Sequence, residues 1–122
     1  MSTCILIVED DAVLRKHLAR LFVREGYAVS TAACRAAAAD QLANASFDIL
    51  LLDLQLPDGN GLDLLAELGI ERRPKRAVVM SAFSGDENEA RAQALDVRRL
   101  LRKPLDLLQL LDAVRSAASD AG

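Results

Sequence analysis

Phe47-Asp48-Ile49-Leu50-Leu51-Leu52-Asp53-Leu54-Gln55-Leu56-Pro57-Asp58-Gly59-Asn60-Gly61 decides how the rest of the chain reads. A short unbroken apolar run bounded by turn residues is the pattern of a strand buried on both faces. Asp53 therefore stands where that strand leaves its sheet, and Pro57, Gly59 and Gly61 turn the chain immediately after it. In open α/β sheets, ligands bind outside the carboxyl ends of the strands. Asp53 is thus the candidate reactive residue.

Working outward, the pattern predicts strands over Cys4–Val8, Ala28–Thr31, Ala77–Met80 and Arg99–Arg102, besides Ile49–Asp53. Helices are expected over Ala12–Glu25, Arg35–Asn44, Leu62–Leu68, Asp86–Leu95 and Leu107–Ala117. Asp11 and Asp106 are placed as N-caps, and Gly26 and Gly69 as stops. Strands alternating with helices argue for βαβ units, hence an α/β domain with a parallel sheet covered on both faces. In the last helix Leu107, Leu108, Leu110, Leu111 and Val114 make an apolar arc wider than the stripe of about 100° that a core-facing helix needs. Leu108 or Leu110 is then expected at the surface.

The chain has 122 residues, 52% apolar and 27% charged, with a net charge of −3. That is one ordinary globular domain, long enough to bury a core without disulfides or a structural metal. Residues 1–118 are expected to form it, with 119–122 as a frayed tail or the start of a linker. No run is long enough to span a bilayer, and no basic segment precedes the first strand as in a signal peptide. Cys4 and Cys34 form neither a disulfide framework nor a metal-ligand spacing, which fits a cytoplasmic protein. Three Phe, one Tyr and no Trp give little for base stacking, so direct nucleic-acid binding is not expected. Arg72, Arg73, Lys75 and Arg76 are read as a solvated loop, and Arg98, Arg99 and Arg102 as charge protecting an edge strand. His17, the single histidine, reads as a boundary residue on the first helix.

Parallel strands present their carboxyl ends on one side. Strand one delivers Glu9 and Asp10 there, strand three Asp53, strand four Ser81 and strand five Lys103. Three carboxylates crowded together raise each other's pKa, and a hard divalent cation removes that cost. Mg²⁺ suits oxygen ligands combined with phosphate oxygens, and Mn²⁺ could replace it. Asp53 could then be a nucleophile toward a phosphoryl group. Lys103 would supply a mobile positive charge, Ser81 a hydroxyl donor, and the backbone N–H groups around Leu54 and Ala82 further donors.

In its motifs the chain resembles the receiver domains of bacterial two-component response regulators. They are Ile7-Val8-Glu9-Asp10-Asp11, Asp48 through Gly61, Val79-Met80-Ser81-Ala82 and Arg102-Lys103-Pro104-Leu105, and the likeness covers roughly Cys4 to Ala118. The resemblance implies a flavodoxin-like (βα)5 three-layer sandwich with strand order 2-1-3-4-5. It implies that Asp53 is the phospho-acceptor, that Asp10 ligates Mg²⁺ directly and Glu9 through water, and that the Gln55 backbone carbonyl is a further ligand. Ser81 matches the switch hydroxyl and Lys103 the lysine of the site, with a cis bond expected to Pro104. Gln55 and Phe83 occupy positions that tune phosphate lifetime. Leu100 stands where the family usually has an aromatic that rotates on activation. Such a protein is a phosphoprotein switch rather than a turnover enzyme. It takes its phosphoryl group from a sensor histidine kinase or phosphotransfer protein. It signals through the α4-β5-α5 surface to an output domain or target that the sequence leaves open.

Three alternatives are weighed. Haloacid-dehalogenase-like phosphatases need a second aspartate two residues after the first, where this chain has Gln55. A flavin-binding flavodoxin would want a phosphate loop where Glu9-Asp10-Asp11 repels phosphate. A phosphorylation-independent pseudo-receiver docking module remains: Glu9, Asp10, Asp53, Ser81 and Lys103 count against it, and Leu100 keeps it open.

Overall fold

The computed structural model describes residues 2–68, 74, 76–82 and 86–121. Phe83, Arg72, Arg73, Lys75 and the helix stop expected at Gly69 lie outside the described residues. The sheet strands are β1 (Cys4–Val8), β2 (Ala28–Ala32), β3 (Ile49–Asp53), β4 (Arg76–Ser81) and β5 (Arg99–Arg102). All neighbours pair in parallel, in the order β2-β1-β3-β4-β5. The helices are α1 (Ala12–Arg24), α2 (Arg35–Asn44), α3 (Gly61–Glu67), α4 (Asp86–Ala94) and α5 (Leu107–Ala121). This is the flavodoxin-like sandwich expected from the sequence.

The alternation of side chains along each strand divides the core in two. Leu6, Val8, Leu50, Leu52 and Val79 face α2, α3 and α4, packing with Ala38, Leu42, Leu62, Leu65 and Ala92. Ile5, Ile7, Ile49, Leu51, Val78 and Met80 face α1 and α5, packing with Leu18, Phe22, Leu110, Ala113, Val114 and Ala117. Every residue of β3 is buried, which is why its sequence is continuously apolar rather than alternating. Burial on both faces stabilises this strand at about 25 cal/mol per Å² of apolar surface removed from water.

The helix starts follow from side-chain caps that satisfy otherwise orphaned N–H groups. Asp11 Oδ1 accepts from Val13 and Leu14, Asn60 from Leu62, and Asp106 from Leu108 and Gln109. Gly26, at φ +93°, takes the left-handed conformation that ends α1. In α5, Leu110 is fully buried and Leu108 is 79% exposed, so the wide arc splits into a core-facing side and a surface side. That helix also continues past Ala117 to Ala121, and Arg76, expected in a loop, opens β4. His17 is exposed on α1.

The turn after Asp53 holds more structure than its Pro and Gly residues announce. Gln55–Leu56 and Gly59–Asn60 pair antiparallel as a two-residue ribbon. Gly61 follows, and a Cβ there would overlap the Asp53 carbonyl oxygen and press on Leu52 Cγ at 3.0 Å. Only glycine lets α3 begin so close to the end of β3.

Candidate functional site

Register brings the strand ends level. Val8 pairs with Leu52, Asp53 with Met80, and Ser81 with Arg102. Glu9 and Asp10 therefore leave β1 beside Asp53, and Lys103 leaves β5 beside Ser81. Glu9, Asp53 and Ser81 are buried polar side chains at the rim of an apolar core, and Asp10 is exposed above them.

One cation serves two carboxylates. Lys103 Nζ donates to Glu9 Oε1 at 2.6 Å and to Asp53 Oδ2 at 3.0 Å. The remaining oxygens take backbone donors: Asp11 N–H reaches Glu9 Oε2 at 3.1 Å, and Gln55 N–H reaches Asp53 Oδ1 at 3.0 Å. Arg15 braces the turn from outside, donating to the Glu9 and Asp10 carbonyls at 2.9 and 3.3 Å. The Lys103–Pro104 bond is cis. It follows Lys103 N–H donating to Ser81 O at 2.8 Å, which ties the lysine to the end of β4.

Burial pushes the Glu9 carboxyl up to about 7, against the opposing pull of Lys103 and the Asp11 N–H. The nearby charge of Asp53 adds to the rise. Burial alone would lower the Lys103 pKa, but its bonds to Glu9 and Asp53 win and raise it, so it stays cationic. One lysine leaves the three-carboxylate cluster with an excess of negative charge. Glu9, Asp10 and Asp53 each offer an oxygen within 4.8 Å of the others. An all-oxygen set, without Cys or His, fits a hard divalent ion such as Mg²⁺.

The structure also shows who holds the backbone donors. Leu54 N–H, among those expected to serve the site, is committed to Met80 O at 2.9 Å inside the sheet. The donor that reaches the Asp53 carboxylate is the next one along, Gln55 N–H. Ala82 N–H donates at 3.2 Å to the side-chain carbonyl Oε1 of Gln55. Gln55 thus presents its backbone to Asp53 and its side chain to the end of β4. Leu100 packs against the α2–α4 side of the core with Leu95 and Val97. The three arginines near β5 have partners: Arg99 pairs with Asp112 at 3.4 Å, Arg102 with Glu89 at 3.9 Å, and Arg98 donates to Ser116 Oγ.

Two connections had no signal in the sequence. Asp58 at the ribbon tip accepts the Arg35 and Ala36 N–H groups of α2. Asn60 Nδ2 reaches Asn88 Oδ1 at 3.2 Å, and Arg91 pairs with Asp63 at 2.6 Å, so α4 is tied to α3 and to its cap. Among the described residues no helix is long and apolar enough to cross a membrane.

Residues 5–115 match the family model described as the response regulator receiver domain. Among curated proteins, the TorCAD operon transcriptional regulatory protein TorR of Escherichia coli (strain K12) is 34% identical over 112 residues, spanning 92% of this chain and 48% of that protein. The chain therefore covers about half the length of that relative. A CheY-like receiver domain protein from Methanospirillum hungatei JF-1 superimposes with a TM-score of 0.93 at 24% identity, over 99% of this chain and 97% of the other, which speaks to the fold. A response regulator from Burkholderia pseudomallei, solved with a phosphorylated aspartic acid, a calcium ion and citrate, aligns with a TM-score of 0.81 at 26% identity, over 98% of this chain and 74% of that one.

Proposed function

Because the chain belongs to the response regulator receiver domain family, we propose that it is the acceptor of a phosphorelay, with Asp53 as the residue that is phosphorylated. The observation that carries this reading is the position of Asp53: 1% exposed at the carboxyl end of β3, with one oxygen on Lys103 and an oxygen-only cluster beside it. A buried carboxylate so equipped is costly unless it has a task. The phosphorylated aspartic acid in the Burkholderia pseudomallei relative supports the same chemistry here.

In the proposed step an Asp53 carboxylate oxygen attacks phosphorus in line. The O–P bond forms as the N–P bond of a donor phosphohistidine breaks, and the imidazole nitrogen keeps the electron pair. Mg²⁺, when bound, would neutralise phosphoryl charge. Asp10, Asp53 and the Gln55 backbone carbonyl would hold it directly, and Glu9 through water. Lys103 follows the negative charge from the carboxylate pair to the transferred group. Ser81 donates its hydroxyl to a phosphoryl oxygen. Leu100, Pro104 and the surface of α4, β5 and α5 then repack, a local charge event biasing a two-state element. Residues 1–118 act as the receiver unit. The donor is a sensor histidine kinase or phosphotransfer protein, the setting is the cytoplasm, and the protein is a switch rather than a turnover enzyme.

Incubation with Mg²⁺ and acetyl phosphate, followed by intact mass, tests this. One added phosphate is expected, absent from Asp53→Asn and from a sample with EDTA. A folded, Mg²⁺-binding protein that takes no phosphate from acetyl phosphate or from a phosphorylated kinase would instead be a pseudo-receiver.

A further inference from the structure

The ribbon after Asp53 supplies Gln55 N–H to the acceptor carboxylate, so whatever fixes the ribbon fixes that donor. Within the ribbon Gln55 pairs with Asn60, and Gly61 N–H donates to Leu54 O at 2.9 Å. These bonds close the ribbon on itself but do not anchor its tip. The tip is anchored from α2, over twenty residues earlier in the chain.

The Asp58 carboxylate accepts the N–H of Arg35 at 2.8 Å and of Ala36 at 3.0 Å. These first-turn donors are ones a helix cannot satisfy internally. The cap offered locally is weak, a Cys34 thiol 3.5 Å from Ala37 N. Asp58 therefore caps α2 from a distance. Arg35 reaches back, its Nη1 donating to the Asp58 carbonyl at 3.0 Å and its Nη2 to Glu67 Oε1 on α3 at 2.8 Å. Gly59, at φ +133°, leaves room for that guanidinium, since a Cβ there would stand 2.7 Å from Nη1. Among the described residues, Arg35 Nε is buried without a hydrogen-bond partner, as in a side chain held by its two ends. The Arg35 N–H, followed by that of Ala36, keeps the Asp58 carboxyl below the usual carboxylate range.

We propose that Asp58 and Arg35 are positioning residues for the acceptor site: their reciprocal clasp between the ribbon tip and the start of α2 sets where Gln55 presents its N–H to Asp53. For metal and phosphoryl chemistry the inference rests on the function proposed above. For the geometry of Gln55 it does not. The clasp acts through the backbone of the ribbon, and neither residue touches the carboxylate.

The test compares full-length wild type with Asp58→Ala, Asp58→Asn, Arg35→Ala and Asp40→Gly. The last weakens α2 at an exposed position outside the clasp. Amide hydrogen exchange at Gln55 is read in the metal-free protein, Mg²⁺ affinity by calorimetry, and phosphorylation by acetyl phosphate at saturating Mg²⁺. Asp58→Ala is expected to speed Gln55 exchange relative to the β3 amides and to weaken Mg²⁺ binding by about tenfold, the usual scale for losing an outer support of a metal site. Asp58→Asn, which keeps one acceptor oxygen and serves if the alanine variant fails to fold, should fall between. Asp40→Gly should lower the melting temperature and leave Gln55 exchange and Mg²⁺ affinity at wild-type values. Wild-type exchange in both folded Asp58 variants would overturn the clasp, as would Asp40→Gly matching Asp58→Ala. Faster Gln55 exchange in Asp58→Ala, in a protein whose wild type takes no phosphate from acetyl phosphate or from a phosphorylated kinase, would uphold the clasp and reject the acceptor reading.

Discussion

Lys103 Nζ lies 2.6 Å from Glu9 Oε1, closer than its 3.0 Å approach to Asp53 Oδ2. The lysine is thus shared, and held most tightly by the carboxylate that is not the proposed acceptor. A divalent ion held by the cluster would share in neutralising Glu9 and leave Lys103 to Asp53. Replacing Lys103 with Met should remove a competing cation and tighten Mg²⁺ binding. It should slow phosphorylation by about 100-fold, the scale of losing one preorganised charge stabiliser. The metal-free variant should lose about 2 kcal/mol of stability, the worth of charged hydrogen bonds to partly buried groups. Calorimetric titration and urea unfolding with and without Mg²⁺ check both signs.

The Glu9 carboxyl sits at about 7 in the folded protein against 4.5 as its ordinary value. Between those values the folded state binds more protons than the unfolded state, so its stability falls as pH rises. The contribution is complete below about 4.5 and gone above about 7, a swing of roughly 3 kcal/mol. Mg²⁺ held there would favour the carboxylate, so its affinity should climb over the same window. Urea midpoints at pH 5 and pH 8 should differ in EDTA and converge in saturating Mg²⁺. Equal midpoints in EDTA would show that Glu9 is already ionised at pH 5.

Gln55 holds Ala82 N–H with its side-chain amide oxygen at 3.2 Å. On the proposed function a phosphoryl oxygen on Asp53 would draw on this donor, which Gln55 would first have to surrender. Gln55→Ala should therefore phosphorylate about threefold faster with acetyl phosphate, one neutral hydrogen bond having been removed from the competition. Mg²⁺ affinity should be unchanged, because the backbone carbonyl stays. Time courses of intact mass at fixed Mg²⁺ decide it, and an unchanged rate would remove the amide from the competition.

Gly61→Ala drives a Cβ into the Asp53 carbonyl oxygen, and backbone cannot move aside as a side chain can. The expected cost is about 2 kcal/mol, as for overpacking a well-filled site. Chemical-shift changes should centre on Asp53, Leu52 and Leu54 rather than on α3. Thermal unfolding and amide spectra of the variant measure both.

Most of the site was legible in the sequence because parallel strands impose a rule. Each of β1, β3, β4 and β5 ends at or just before a polar residue, so the rule assembles Glu9, Asp10, Asp53, Ser81 and Lys103 without any contact being known. The rule is silent on how the polar atoms share partners. It placed donors around Leu54 without saying which, and the sheet uses Leu54 N–H while Gln55 N–H reaches Asp53. The clasp between Asp58 and Arg35 was hidden for a different reason. A capping signal is sought in the residues beside a helix, and here the cap comes from 22 positions downstream. In α5 five apolar residues competed for one face, and only the packing of Leu110 and Val114 against α1's side of the sheet shows that Leu108 points away.

The bonds of Lys103 to Glu9 and Asp53 span 94 and 50 positions of the chain. No fragment that stops short of β5 contains the lysine, however well its first four strands pair. On the ribosome, the carboxylates of β1 and β3 are made long before their counter-charge. Nascent chains must carry that repulsion in solvent-exposed form until the last strand docks. Closing so distant a contact is slow, because loop entropy is spent before the contact forms. The full set of Lys103, Glu9 and Asp53 contacts thus exists only in a chain that has been made through residue 103.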